Sequence, residues 1–148
     1  MPELFPTFET PDIMIPGPNP DQPAYLRSPK FDFERGDFVL DGAGRLVMLD
    51  GHRSWAQWCA KCILTERLSF LAYSSDFGAE IERTMRLPSR QATESELIRV
   101  ITEALLADPR TESVSEFQFQ WVGDEVFVTC LVTPTIGSPE RIEVRLSG

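Results

Sequence analysis

The chain has 148 residues, 42% of them hydrophobic, which is enough for one domain with a real core. Its formal net charge is −9, from 14 Lys and Arg against 23 Asp and Glu. An acidic chain with only two lysines, Lys30 and Lys61, and scattered arginines lacks the basic footprint that phosphate backbones require, so nucleic acid is not an expected partner. No apolar run nears the ~18–20 residues of a membrane helix, and Met1 to Pro6 has neither the basic nor the apolar region of a signal peptide, so a soluble protein made in the cytoplasm is expected. Three cysteines, Cys59, Cys62 and Cys130, are too few for a disulfide framework.

Residues 1–30 carry eight of the twelve prolines and little periodicity, which predicts an extended, polyproline-like arm. Leu4, Phe5, Phe8, Ile13, Met14 and Ile15 make that arm too apolar for a plain solvated tail. It is expected to fold onto something, a neighbouring subunit being the reading preferred. A single domain is expected over residues 31–148.

Phe38-Val39-Leu40 and Arg45 to Leu49 flank Asp41-Gly42-Ala43-Gly44 and predict a hairpin. Trp55, Trp58, Cys59, Cys62 and Ile63 recur at helical spacing, predicting a helix from about Ser54 to Thr65. A short apolar stretch, Leu68 to Tyr73, leads into the loop Ser74 to Gly78, and residues 79–87 are helical candidates up to Pro88. Thr93-Glu94-Ser95-Glu96 reads as a capping box that opens a second helix, with Leu97, Ile98, Ile101, Ala104 and Leu105 as its buried stripe.

That helix should stop at about Asp108, because Pro109 has no N–H to donate and pushes the residue before it out of the α region. Asp108-Pro109-Arg110 thus forms a charged corner whose guanidinium fork is expected to be available for bidentate contacts, a geometry suited to docking on another protein. Strict alternation then predicts strands: Phe117, Phe119 and Trp121 on one face, a turn at Gly123-Asp124, then Val126, Val128, Cys130 and Val132, and finally Ile142, Val144 and Leu146. The element order predicts an α+β domain, with helices packed on a mainly antiparallel sheet.

Motifs of catalytic chemistry fare poorly. Cys59 and Cys62 form a C-x-x-C, but inside a helix on its buried face rather than at a helix N-terminus, and only His52 and Cys130 could complete a zinc set; core cysteine is the preferred reading. His52, the single histidine, lies in a turn with no nucleophile at a recognisable spacing. The many carboxylates could supply a glycosidase pair, yet most fall on faces expected to be solvated. Asp76-Phe77-Gly78 has the letters of the kinase metal-binding tripeptide without the rest of that machinery, and Gly42-Ala43-Gly44 lacks the Walker continuation. No catalytic residue, metal or cofactor is assigned.

Read in order, the hairpin Phe38 to Leu49, the Trp58-Cys59-Ala60-Lys61 helix running into Leu64-Thr65-Glu66-Arg67, the loop Tyr73 to Gly78 and the corner Asp108-Pro109-Arg110 resemble the baseplate wedge or sheath-initiator proteins of contractile phage tails. The wedge subunit of type VI secretion baseplates is related. That family places a Thr-x-Arg after its first helix, then an Asp-Phe/Tyr-Gly loop, then a Glu-Pro-Arg-like corner; here Asp108 stands where Glu is common. The likeness spans about residues 31–146. It implies a structural protein of the virion tail baseplate, assembled in the host cytoplasm, that joins a wedge core bundle and initiates the tail sheath. Its implied partners are other baseplate wedge proteins and the tail sheath protein, with tail hub or tube proteins as further candidates, and neither nucleic acid nor membrane. Thr65, Arg67, Asp108, Pro109 and Arg110 are the implied partner contacts, the Asp108-Pro109-Arg110 corner fixing the helix end against the bundle. Arg141, Ile142, Val144 and Leu146, on the last strand, are the expected sheath contacts, since an open strand edge can add a strand through main-chain bonds. Some relatives carry a lysozyme-like label, so a baseplate-associated peptidoglycan-degrading enzyme is the alternative.

Overall fold

The computed structural model describes residues 26–147. The arm expected over residues 1–30 lies outside them except for its last five positions. Four short strands open the described chain: β1 (Ser28–Pro29), β2 (Phe31–Asp32), β3 (Asp37–Phe38) and β4 (Met48–Leu49). Helices α1 (Gly51–Leu64), α2 (Ile81–Met85) and α3 (Arg90–Leu106) follow, and then the long strands β5 (Thr111–Val122), β6 (Glu125–Pro134) and β7 (Glu140–Ser147). The fold is α+β, as the sequence predicts.

The long strands form one antiparallel sheet in the order β5-β6-β7. Alternation sends Val126, Val128, Cys130 and Val132 of β6 and Ile142, Val144 and Leu146 of β7 to one face, where all are buried. Phe117, Phe119 and Trp121 of β5 pack against the same core at half-burial. α1 supplies Trp55, Cys59, Cys62 and Ile63, and α3 supplies Leu97, Ile101 and Leu105, all without solvent exposure. Both helices therefore lie on a single face of the sheet, giving two layers around one core. A bulge between Ser115 and Gln118 breaks the β5 register, and Glu116 there takes φ 52°. Among the described residues no helix is long and apolar enough to cross a membrane.

Local chemistry moves several boundaries. α1 starts three residues before the expected Ser54, because the Asp50 carboxylate caps it by accepting from the Arg53 N–H at 3.0 Å. α3 starts at Arg90, not at Thr93, because Ser89, just after Pro88, is the N-cap and accepts from the Ala92 N–H at 3.1 Å. The expected capping box is thus taken apart: the Thr93 hydroxyl donates to the Thr84 carbonyl, and Glu96 binds Arg99. The stretch 79–87 yields only the short α2.

The hairpin expected from Phe38 to Leu49 is narrower than its hydrophobic pattern implied. Leu40 bridges Leu46 and the Val47 N–H donates to the Val39 carbonyl, with Asp41 closing the turn by accepting from the Ala43 and Arg45 N–H groups. Beyond that, the two arms part. Phe38 pairs with Phe31, and Met48 with Pro29, so the segment from Ser28 to Asp32 inserts beside both.

A candidate docking surface around Trp58

Trp58 sits half-buried on α1, one turn past the core residue Trp55. Three segments far apart in the sequence meet at its ring. The first is the corner after α3. The Asp108 carboxylate accepts from the Arg110 main-chain N–H at 2.8 Å, from Nε at 3.0 and 3.1 Å, and from Nη2 at 2.6 Å. The Arg110 guanidinium in turn lies 5.5 Å from the Trp58 ring centroid, a cation–π distance. Both partners of the ion pair are largely withdrawn from water, with side-chain exposures of 14% for Arg110 and 8% for Asp108. The corner is also sewn to the sheet: the Thr111 N–H donates to the Asp108 carbonyl at 3.1 Å, and the Thr135 N–H to the Arg110 carbonyl at 2.9 Å. Trp55 Nε1 donates to the Thr111 hydroxyl at 3.2 Å, which fixes α1 to the start of β5.

The expectation of an open guanidinium fork therefore needs correcting. Sequence spacing put carboxylate and guanidinium at one corner but not which way either faced. Folding Asp108 under the end of α3 removes it from water, and a buried carboxylate demands a charged partner, which Arg110 supplies from two residues away. The exposed member of the tripeptide is Pro109.

The second segment is the loop from Thr65 to Ala79. Thr65 ends α1, its hydroxyl donating to the Lys61 carbonyl at 2.7 Å. The Ala79 N–H donates to the Thr65 carbonyl at 3.0 Å, and the Arg67 N–H donates to the Ala79 carbonyl at 3.2 Å, so the loop closes on a short parallel bridge. Arg67 spans the loop, Nε donating to the Ser75 carbonyl at 3.0 Å, with Nη1 3.9 Å from Glu103 of α3. Gly78 is required here. Its φ is 100°, and a Cβ at this position would stand 2.7 Å from the Thr65 carbonyl oxygen. The Thr-x-Arg and Asp-Phe-Gly pieces of the sequence are thus two sides of one closure, and it delivers Phe77 edge-on to Trp58 at 5.7 Å.

The third segment is the run of short strands. The Gln57 side chain accepts from the Phe31 N–H at 2.8 Å and donates to the Pro29 carbonyl at 2.9 Å, tying β1 and β2 to α1. Around Trp58 these elements leave a groove of about 570 Å³ lined by Phe31, Phe33, Phe38, Lys61 and Tyr73. Lys61 Nζ lies 4.8 Å from the Tyr73 ring centroid. Leu68, Phe70 and Leu71 of the neighbouring loop are exposed. Sequence reasoning named the corner and the loop but missed Trp58, Tyr73 and Lys61. All three stand in segments that carry the family likeness, but helical periodicity assigns Trp58 to the core and nothing local marks Lys61 or Tyr73 as its neighbours.

The remaining site candidates belong to β7. Ile142, Val144 and Leu146 point their side chains into the core, leaving the main chain of this edge strand as what they can present. Arg141 faces solvent and reaches across the sheet to Glu116 at 2.8 Å.

The cysteines are core thiols. Burial pushes the Cys59 thiol far above its ordinary range, with the nearby Asp108 carboxylate adding to the effect, and burial likewise raises Cys62 and takes Cys130 to about 11. Among the described residues no group of His, Cys, Asp and Glu is placed to hold a metal ion. His52 Nε2 lies 3.0 Å from Glu140, joining the first turn of α1 to β7.

The family model of contractile injection system sheath initiators matches residues 27–136, from just before β1 to just past β6. The phage-like element PBSX protein XkdS of Bacillus subtilis (strain 168) is 29% identical over 119 residues, covering 78% of this chain and 79% of that protein. The matched span holds the Thr65–Arg67 closure, the Gly78 loop and the Asp108–Arg110 corner in the order read from the sequence, and the chain belongs to the contractile injection system sheath initiators, a family of structural tail components.

Proposed function

We propose that this protein is a baseplate wedge subunit that joins the wedge core bundle and starts the tail sheath by accepting a strand from the first sheath ring, and that it does so without catalysing a reaction. The observation that carries this reading is β7. It is an eight-residue strand hydrogen-bonded to β6 and last in the order of its sheet, and Ile142, Val144 and Leu146 anchor it in the core. A strand held so firmly on one side is a rigid template on the other, and main-chain pairing needs no side-chain chemistry. Its outward residues Arg141, Glu143 and Arg145 alternate in charge, which discourages pairing with itself while leaving a charged register for a partner strand.

The bundle contact is assigned to the exposed rim of the Trp58 cluster: Pro109 at the corner, with the Thr65–Arg67 closure fixing the loop beside it. Asp108 and Arg110 act there by holding the corner's shape. Other wedge proteins, and tail hub or tube proteins, are the expected partners on this side, and the virion baseplate is the expected location.

Hydrogen exchange tests the strand proposal. On mixing with the purified sheath subunit, amides of residues 140–147 should gain protection. No gain across β7 while the two proteins co-sediment would sink it. Incubation with purified cell wall tests the second part, since turnover lost on a single Asp or Glu substitution would establish an enzyme.

A further inference from the structure

The groove beside Trp58 combines features that point to a specific occupant. Its wall is aromatic and remains open to solvent at Phe33, Phe38 and Tyr73, which are 38%, 48% and 39% exposed. Its lining includes Arg27, Lys61 and Arg110 and no carboxylate, and since Arg110 is matched by Asp108 beneath it, Arg27 and Lys61 give the rim a net positive charge. Its walls are fixed by the two Gln57 hydrogen bonds and by the Phe31 ring, which stands 5.3 Å from both Phe33 and Phe38. Aromatic-walled grooves of this kind take proline-rich chain, because a preformed polyproline helix loses little entropy on docking and its rings stack on flat side chains.

Such a chain starts at the groove itself. Leu26, the first described residue, is part of the lining. Residues 1–25 hold seven prolines, four carboxylates (Glu3, Glu9, Asp12 and Asp21) and no Lys or Arg, together with the apolar residues Leu4, Phe5, Phe8, Ile13 and Met14. Composition and charge are both complementary to the groove. Ten extended residues cover about 30 Å in polyproline form, so residues 1–15 can fold back over Trp58 on a short tether. A tether of this length sets an effective concentration in the millimolar range, ahead of any second copy at ordinary protein concentrations.

We propose that the groove walled by Phe38, Trp58 and Tyr73 is the seat of this chain's own proline-rich N-terminal segment, with Arg27 and Lys61 facing its carboxylates. From its composition alone that segment is expected on a neighbouring subunit. The groove offers it a site on the same molecule.

The test uses the full-length chain with the photo-crosslinker p-benzoylphenylalanine in place of Phe38. Equal amounts of isotopically light and heavy protein are mixed, irradiated and mapped by mass spectrometry. Crosslinks from position 38 to peptides within residues 1–25, joining like isotopes only, are the expected result. Crosslinks to those peptides in which half the pairs join light to heavy would seat a second copy's segment there and overturn the proposal. Crosslinks confined to other parts of the chain, or none, would also overturn it and leave the groove to a different protein. The charge argument is tested separately by Lys61→Glu in the crosslinker-bearing chain. The yield into residues 1–25 should fall several-fold in low salt, and an unchanged yield would remove Lys61 from the seat.

Discussion

Asp108 and Arg110, two residues apart around Pro109, are locked to one another by four hydrogen bonds in a pocket that leaves each side chain under 15% exposed. Removing one member of so buried a pair strands the other charge, a loss of about 3–5 kcal/mol in comparable settings. Arg110→Ala should therefore lower the unfolding free energy of the isolated protein by about 3 kcal/mol, read as a shift of the urea midpoint at constant slope. Pairing Asp108→Asn with Arg110→Met should recover part of that loss, because no charge then remains buried. An Arg110→Ala protein as stable as the parent would mean that the guanidinium contributes nothing to the fold and would return it to the partner surface.

Gly78 makes a second, sharper prediction. An added methyl group would press on the Thr65 carbonyl at 2.7 Å, and that oxygen is held in place by the Ala79 N–H. The left-handed φ adds strain for any side chain. Gly78→Ala should cost about 1–3 kcal/mol. Because the closure fails locally, proteolysis should cut first between residues 66 and 77. A variant with unchanged melting temperature and an uncut loop would show that the closure tolerates a Cβ.

The three thiols make the fold sensitive to alkali. Each is held protonated in the folded state, with its pKa above the ordinary value of 9.0, and Cys130 at about 11. Above pH 9 the unfolded chain releases these protons and the folded chain does not, so the unfolded state gains and stability falls as pH rises from 9 toward 11. Replacing Cys130 by Val should flatten that decline while leaving stability at pH 7 within about 1.5 kcal/mol, since the swap nearly conserves volume. A decline of the same slope in the Cys130→Val protein would place the alkaline sensitivity elsewhere. Native thiols should also resist a disulfide reagent at pH 8 until denaturant is added.

Much of this was legible in the sequence where one physical rule acted alone. The β6 and β7 faces followed from alternation because one side of the sheet is core and the other is water. The end of α3 followed from Pro109. Where two rules competed, pattern reading chose the wrong one. Thr93 to Glu96 satisfies the capping-box formula, but Ser89 after Pro88 caps first and extends the helix by a turn. Phe38 has the alternation of a hairpin partner for the strand after Gly44, but it pairs with Phe31, whose ring it meets edge-on at 5.3 Å. The direction of Arg110 could not be read from the sequence at all, since it depends on how deeply Asp108 is buried once α1, α3 and β5 have packed. The Trp58 groove was invisible for the same reason: its walls come from residues 26–38, from α1 and from the 65–79 loop, and no local pattern joins them.

The extra turn of α3 has an energetic cause that can be measured. Glu94 accepts from Trp121 Nε1 at 2.8 Å, and Arg90 lies 5.0 Å from the Trp121 ring centroid while its Nη2 donates to the Gly123 carbonyl at 3.1 Å. This latch ties the first turn of α3 to the β5–β6 turn. A hydrogen bond to a charged acceptor is worth about 1.5–3 kcal/mol, so Trp121→Phe should cost about 2 kcal/mol. Glu94→Gln keeps an acceptor and should cost about 1 kcal/mol or less. If the two act as one latch, the double variant should lose less than the two single losses combined, with a coupling of at least about 0.5 kcal/mol from urea denaturation of all four proteins. Strict additivity would mean that the indole and the carboxylate stabilise the fold independently, and that the early start of α3 rests on the Ser89 cap alone.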